Sequence, residues 1–158
     1  MKTNVLVSVP ALMCFVFTCL VFIGCEKQDA DTTKPVISLS EPEEGEEVRT
    51  GKSMHLEMDL SDDVALAGYM VEVHNNFDHH GHKAPARAAE DSVVFYFKQS
   101  YEISGRNQHI HSHDVVIPAN AKAGDYHLMV YCTDAAGNQS FVARNIVLSP
   151  DAEHHHHE

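Results

Sequence analysis

Positive charge is scarce in this sequence. Eleven Lys and Arg stand against 23 Asp and Glu, a net charge of −12 with histidine neutral. A nucleic-acid binder needs a basic stripe to displace phosphate counterions, so DNA and RNA are excluded as partners. Disulfides are lacking too. Of the four cysteines, Cys14 and Cys19 lie inside an apolar leader and Cys25 ends it, leaving only Cys132 in the body. The fold therefore has to rest on a buried core rather than a crosslink. Cys132 alternates with Leu128 and Val130, which reads as a small buried hydrophobe. A helical period is missing after the leader, so an α-helical domain is excluded. Nothing marks a general base beside an open metal position, as a zinc hydrolase requires, and the chain reads as a non-enzyme.

Residues 1–24 read as a secretory signal peptide. Lys2 starts it, an apolar run from Val5 to Ile23 is interrupted by Pro10, and the exit is small. That exit, Val21-Phe22-Ile23-Gly24-Cys25, resembles the bacterial lipobox, with Phe22 where Leu is commoner. The resemblance implies that the Cys25 thiol carries a diacylglycerol and becomes the first residue after cleavage. The chain is then expected on the bacterial outer membrane, held by its N-terminal lipid and exposed at the surface. The competing reading is an uncleaved anchor, since ~19 apolar residues just span a bilayer. Residues 25–34 are the lipidated acidic tether. Its stretch Glu26-Lys27-Gln28-Asp29-Ala30-Asp31 has too few apolar residues to pack and resembles the surface-export signals of Bacteroidota lipoproteins.

Residues 35–149 form one domain, with a His-rich tail at 150–158. The alternation predicts seven strands: A at 36–40, B at 53–60, C at 66–74, D at 92–103, E at 109–117, F at 126–133 and G at 141–148. In strand B, Met54, Leu56, Met58 and Leu60 alternate with His55, Glu57 and Asp59, the pattern of a half-buried strand. Several short strands at even spacing argue an all-β sandwich. Tyr126 at the entry to strand F resembles the tyrosine corner of immunoglobulin-like sandwiches. Asp134-Ala135-Ala136-Gly137-Asn138 reads as the F–G turn, with Gly137 or Asn138 at positive φ.

The resemblance extends over most of residues 31–149. It is carried by Asp31-Thr-Thr-Lys-Pro35-Val-Ile, Met54-His55-Leu56-Glu57, Val73-His74, and His111-Ser-His113 with Ile117-Pro118 and Gly124-Asp-Tyr126-His127. Together these resemble a Bacteroidota lipoprotein family known as a domain of unknown function, with an immunoglobulin-like fold. The loop from Asn75 to Asp91 is richer in histidine than that family leads one to expect.

The 13 histidines are the feature that points to chemistry. Placed on an immunoglobulin-like topology, His55, His74, His79, His80, His82, His127 and the run His154 to His157 all fall at one pole, away from the tether. His74 and His127 are expected as a cross-strand pair, whose Cβ atoms lie about 5 Å apart. His111 and His113 form a second pair on strand E, although they share parity with Val115 and Ile117, which should point inward. His109 lies further along strand E. Neutral imidazole is a good ligand for zinc and copper, so these residues are candidate metal ligands, with Asp78, Asp114 or Glu72 to complete the set. The plain alternative is scattered surface histidine. At the other pole, Asp62, Asp63, Asp134 and Asn138 could hold calcium, although Asp in turns more often caps backbone.

The sequence thus suggests a protein that captures, delivers or buffers zinc or copper, with an outer-membrane transporter as a candidate partner. The alternative is a non-catalytic surface module that binds a protein, a glycan or haem.

Overall fold

The computed structural model describes residues 30–77 and 91–152. Eight strands are found there, and no helix: β1 Val36–Glu41, β2 Glu46–Arg49, β3 Leu56–Ser61, β4 Leu66–Asn75, β5 Phe97–Glu102, β6 Asn107–Ser112, β7 Gly124–Asp134 and β8 Gln139–Ser149. They make a three-stranded sheet, β1-β3-β6, and a five-stranded sheet, β2-β8-β7-β4-β5. All pairings are antiparallel except β2 with β8.

The period-two alternation of the sequence builds the core between these sheets. Leu56, Met58 and Leu60 of β3 face Val71 and Val73 of β4, Leu128 and Val130 of β7, and Ile146 and Leu148 of β8, all within one cluster and all at most 2% exposed. Each such side chain contributes roughly 1.5–3 kcal/mol of burial, which is why the domain needs no disulfide. Cys132 is fully buried in the same cluster. Burial, reinforced by the nearby Asp62 and Asp134 carboxylates, pushes its thiol up to about 11. It acts as a small hydrophobe, as its alternation suggested.

Three differences from the expected seven strands have physical causes. The eighth strand, β2, lies where a loop between strands A and B was expected. Only Val48 of Glu46-Glu47-Val48-Arg49 is buried, so no alternation betrays the strand. It is made by its parallel pairing with β8, Glu46 opposite Ile146 to Arg49 opposite Ser149. Gly45, at φ 78°, brings the chain to that edge, its amide donating to the Asn145 carbonyl at 2.7 Å.

The expected strand over 92–103 shortens to β5. The residues before it leave the sheet: Val93 pairs with Ala121 as an isolated bridge, and Phe95 turns into the core. Tyr126, fully buried at the start of β7, holds this segment. Its hydroxyl donates to the Lys122 carbonyl at 2.9 Å and accepts the Phe95 amide at 3.2 Å. That is the contact expected of a tyrosine entering this strand.

The expected strand over 109–117 ends at Ser112. The Ser112 hydroxyl accepts the Asp114 amide at 3.1 Å, and the Val116 amide bonds back to the Asp114 carbonyl. This bend resets the alternation. His111 and His113 point outward, while Val115 and Ile117 return to the core at 2% and 1% exposure. In the β7–β8 turn, Gly137 takes the positive φ, 92°.

Candidate metal centre

His55 is flanked by buried Met54 and Leu56, so its ring points out of the three-stranded sheet. The β3–β6 register pairs Leu56 with Ser112 and Glu57 with His111. Continued by one rung, it sets His55 against His113. Two same-face rungs of an antiparallel ladder thus bring three imidazoles together, at the spacing cross-strand pairs allow. The ring of His55 lies 4.7 Å from His111 and 5.0 Å from His113, stacked on the latter at 18°. His111 and His113 are 5.4 Å apart. One nitrogen from each of the three lies within 4.8 Å of the others.

The surroundings of His55 favour its neutral imidazole. Burial, then the neighbouring His111 and His113, pull the His55 pKa below its ordinary value, against the opposing pull of Glu57 and Glu41. His55 Nε2 is buried and accepts or donates no hydrogen bond; Glu57 Oε2 stands 3.7 Å from it. A buried polar atom without a partner costs roughly 1–3 kcal/mol. A cation held by Nε2 would remove that cost. Tetrahedral zinc at 2.0–2.1 Å from each nitrogen requires donors about 3.4 Å apart, which side-chain rotation of exposed His111 and His113 can reach. Glu57 can serve as a fourth ligand or as the carboxylate that orients a ligating histidine. Sequence reasoning misses Glu57 as a candidate. Its spacing of two from His55 on a strand is the available signal.

His74 and His127 do pair across strands, in register, with ring centroids 5.5 Å apart and nearly perpendicular. They flank buried Val73, Tyr126 and Leu128, so they face outward from the five-stranded sheet. His74 Nδ1 lies 3.6 Å from Glu72 Oε1, and Glu72 also pairs with Lys98 at 3.2 Å. The strand ends bring both histidine groups to one pole; the expectation covered His55, His74 and His127, and His111 and His113 join them there. The two groups are nevertheless on opposite outer faces of the sandwich. Two sheets pack about 10 Å apart, so one ion cannot bridge the groups, and the candidate histidines fall into two separate clusters.

The other candidates are placed as follows. His109 bonds to Asp59 across the sheet, Nδ1 to Oδ1 at 2.9 Å, outside the three-imidazole cluster. Asp114 is engaged by the Tyr101 hydroxyl, whose pKa burial and Asp114 raise to about 12. Asp78, His79, His80 and His82, the tail His154 to His157, and Cys25 lie outside the described residues. At the opposite pole, Asp134 caps its turn, taking the Asn138 amide and side chain at 2.7 Å each, which is the backbone-capping role.

No curated protein matches this sequence. A family model matches residues 23–149, nearly the whole of the chain from the end of the apolar leader to the last strand, and the chain belongs to the family described as Domain of unknown function (DUF4625).

Proposed function

We propose that this chain is an immunoglobulin-like lipoprotein of a bacterial envelope that binds a transition metal, zinc or copper, through His55, His111 and His113, for capture, delivery or buffering without catalysis. The carrying observation is the convergence of three imidazole nitrogens within 4.8 Å, one of them buried and without a hydrogen bond. The immunoglobulin-like reading is supported by the sheet order, in which strands A, B and E (β1-β3-β6) face G, F and C (β8-β7-β4), with β2 added beside G and the segment expected as strand D paired, as β5, to C instead of E, and by the Tyr126 hydroxyl bonds. The lipid anchor rests on Gly24-Cys25 after the apolar leader. Lipidation at Cys25 would hold the protein on the outer membrane, with the tether entering at the pole opposite the histidines. That orientation suits exchange of metal with the surroundings or with a transporter.

His74 and His127, together with His79, His80 and His82 later in the sequence, are proposed as a second, independent group of ligands. An alternative function, an interaction module for a protein, glycan or haem, is favoured by Phe141, 66% exposed and 5.9 Å from Tyr131 on the five-stranded sheet. Exposed aromatic pairs of this kind are enriched at partner surfaces.

Titration calorimetry with Zn²⁺ and Cu²⁺ on residues 26–152, which omit the tail histidines, separates these readings. One site tighter than about 100 μM is expected to vanish in the His55→Ala, His111→Ala, His113→Ala triple variant. It should persist when His74 and His127 are replaced together. Binding no tighter than that in the parent protein, or binding unchanged in the triple variant, refutes the metal site.

A further inference from the structure

A second cluster of ligand atoms sits at the opposite pole, where the chain enters the domain. One carboxylate oxygen from each of Asp31, Asp62 and Asp63 lies within 4.8 Å of the others. Asp31 precedes β1, and Asp62 and Asp63 follow β3, so residues about thirty apart in sequence meet only because β1 pairs with β3, Val36 opposite Ser61. Further bonds hold the entry segment there. Thr33 Oγ1 donates to Asp63 Oδ2 at 3.3 Å, and the Asn138 side-chain amide donates to the Asp31 carbonyl at 3.1 Å.

Proximity of acidic groups is not by itself a site. The decisive residue is Asp62, which is only 8% exposed. Its Oδ1 accepts the amides of Val64 and Ala65 at 2.9 and 2.7 Å. Those bonds fix the carboxylate, and they leave Oδ2 buried with no hydrogen-bond partner. A buried anionic oxygen left unpaired carries a large desolvation cost, and two more carboxylates beside it add repulsion. No lysine or arginine among the described residues forms an ion pair with any of the three. Arg106 spends its guanidinium on the Asp63 carbonyl.

We propose that Asp31, Asp62 and Asp63 bind Ca²⁺. All the side-chain ligands offered are oxygens, which suit a hard cation and not the zinc or copper of the histidine face. Three carboxylates, some bidentate, supply part of the six to eight oxygens calcium takes, and water supplies the rest. Mg²⁺ is the poorer fit, because it demands near-octahedral ligands and gives up its water reluctantly. Because Asp31 belongs to the segment that leads in from the N-terminus, calcium would clamp that segment onto the β3–β4 loop. The affinity expected for such an open site is that of extracellular calcium modules, about 0.1–1 mM.

The test is calcium titration of the full-length chain in detergent, followed by calorimetry and by the thermal midpoint. Wild type should bind about one Ca²⁺ and melt higher in calcium, as a ligand specific for the native state requires. Asp31→Asn, which removes charge from the entry segment alone, should weaken binding at least about tenfold, roughly the loss of one charge-assisted contact. Asp62→Asn keeps the Oδ1 acceptor for Val64 and Ala65 and should abolish binding. The His55, His111 and His113 triple alanine variant should bind calcium like wild type, so the outcome is independent of the transition-metal reading. Absence of binding in wild type overturns the proposal. So does an equal response in wild type and Asp31→Asn, or an equal response to Mg²⁺ and Ca²⁺.

Discussion

Replacing Tyr126 with Phe removes a single oxygen, and the structure allows the cost to be estimated. The ring is fully buried, and Phe fills the same space, so the packing against Phe77 and Phe95, at centroid distances of 5.3 and 6.5 Å, survives. Two backbone groups lose their partner. The Lys122 carbonyl, 2.9 Å from the hydroxyl, is partly buried and can recruit water, at about 1 kcal/mol. The Phe95 amide, 3.2 Å away, is buried and cannot, so it carries the orphan penalty of about 1–3 kcal/mol. The sum is about 2–4 kcal/mol. With a urea dependence near 2 kcal/mol per molar, the unfolding midpoint falls by about 1–2 M. The assay is urea denaturation followed by circular dichroism at the β-sheet band. Tyr131→Phe, on the outer face, is the control and should stay within about 0.5 kcal/mol of the parent. A loss below about 0.5 kcal/mol for Tyr126→Phe would show that its hydroxyl does not tie the 92–96 segment to β7, and the reasoning from the two bonds would be wrong.

Acid should weaken both the metal site and the metal-free fold. The His55 pKa is lowered from 6.5 in the folded protein, so the unfolded chain binds the proton first, and stability falls as pH drops through the ordinary histidine value toward the lowered one; the slope of stability against pH should flatten in His55→Ala, and an unchanged slope counts against the burial of that ring. Zinc affinity should fall over the same range because protons compete for the imidazoles, and pH-independent affinity would place the metal elsewhere. Gly68→Ala should disturb the edge strand β5, since a Cβ there meets the Tyr101 carbonyl oxygen at 2.9 Å; about 1–3 kcal/mol of stability and faster amide exchange in Phe97–Glu102 are expected, and unaltered exchange would contradict the close approach. Cys25→Ala should shift the protein from the membrane fraction to an unprocessed or soluble form, and unchanged fractionation and mass would end the lipoprotein proposal.

Much of the fold can be read from the sequence because burial in a sandwich leaves a period of two. β3, β4, β7 and β8 each carry an alternation, and their inward residues form the core. The alternation also implied that His74 and His127 point off the core and meet across β4 and β7. Cys132 lies on the inward parity of β7, and that parity alone marks it as a buried thiol. Where alternation is absent, the sequence is silent. β2 contributes one buried residue and exists because β8 offers it an unpaired edge.

The candidate sites divide along the same line. Local spacing marks His111 and His113 as a pair, and the abundance of histidine marks metal chemistry as worth testing. Which histidines share a face was decided by two tertiary facts. His111 faces outward on β6 opposite Glu57, and the bend after Ser112, fixed by the Ser112 hydroxyl and the Asp114 carbonyl, keeps His113 outward beside His55 while Val115 and Ile117 return to the core. The thickness of the packed sheets separates these histidines from His74 and His127, a distance no linear pattern encodes. In the same way Asp62 and Asp63 are visible as a turn, but Asp31 joins them only through the pairing of β1 with β3. A sequence reports which way a residue faces along its own strand; which strand lies beside it depends on pairing and packing between segments far apart in the chain.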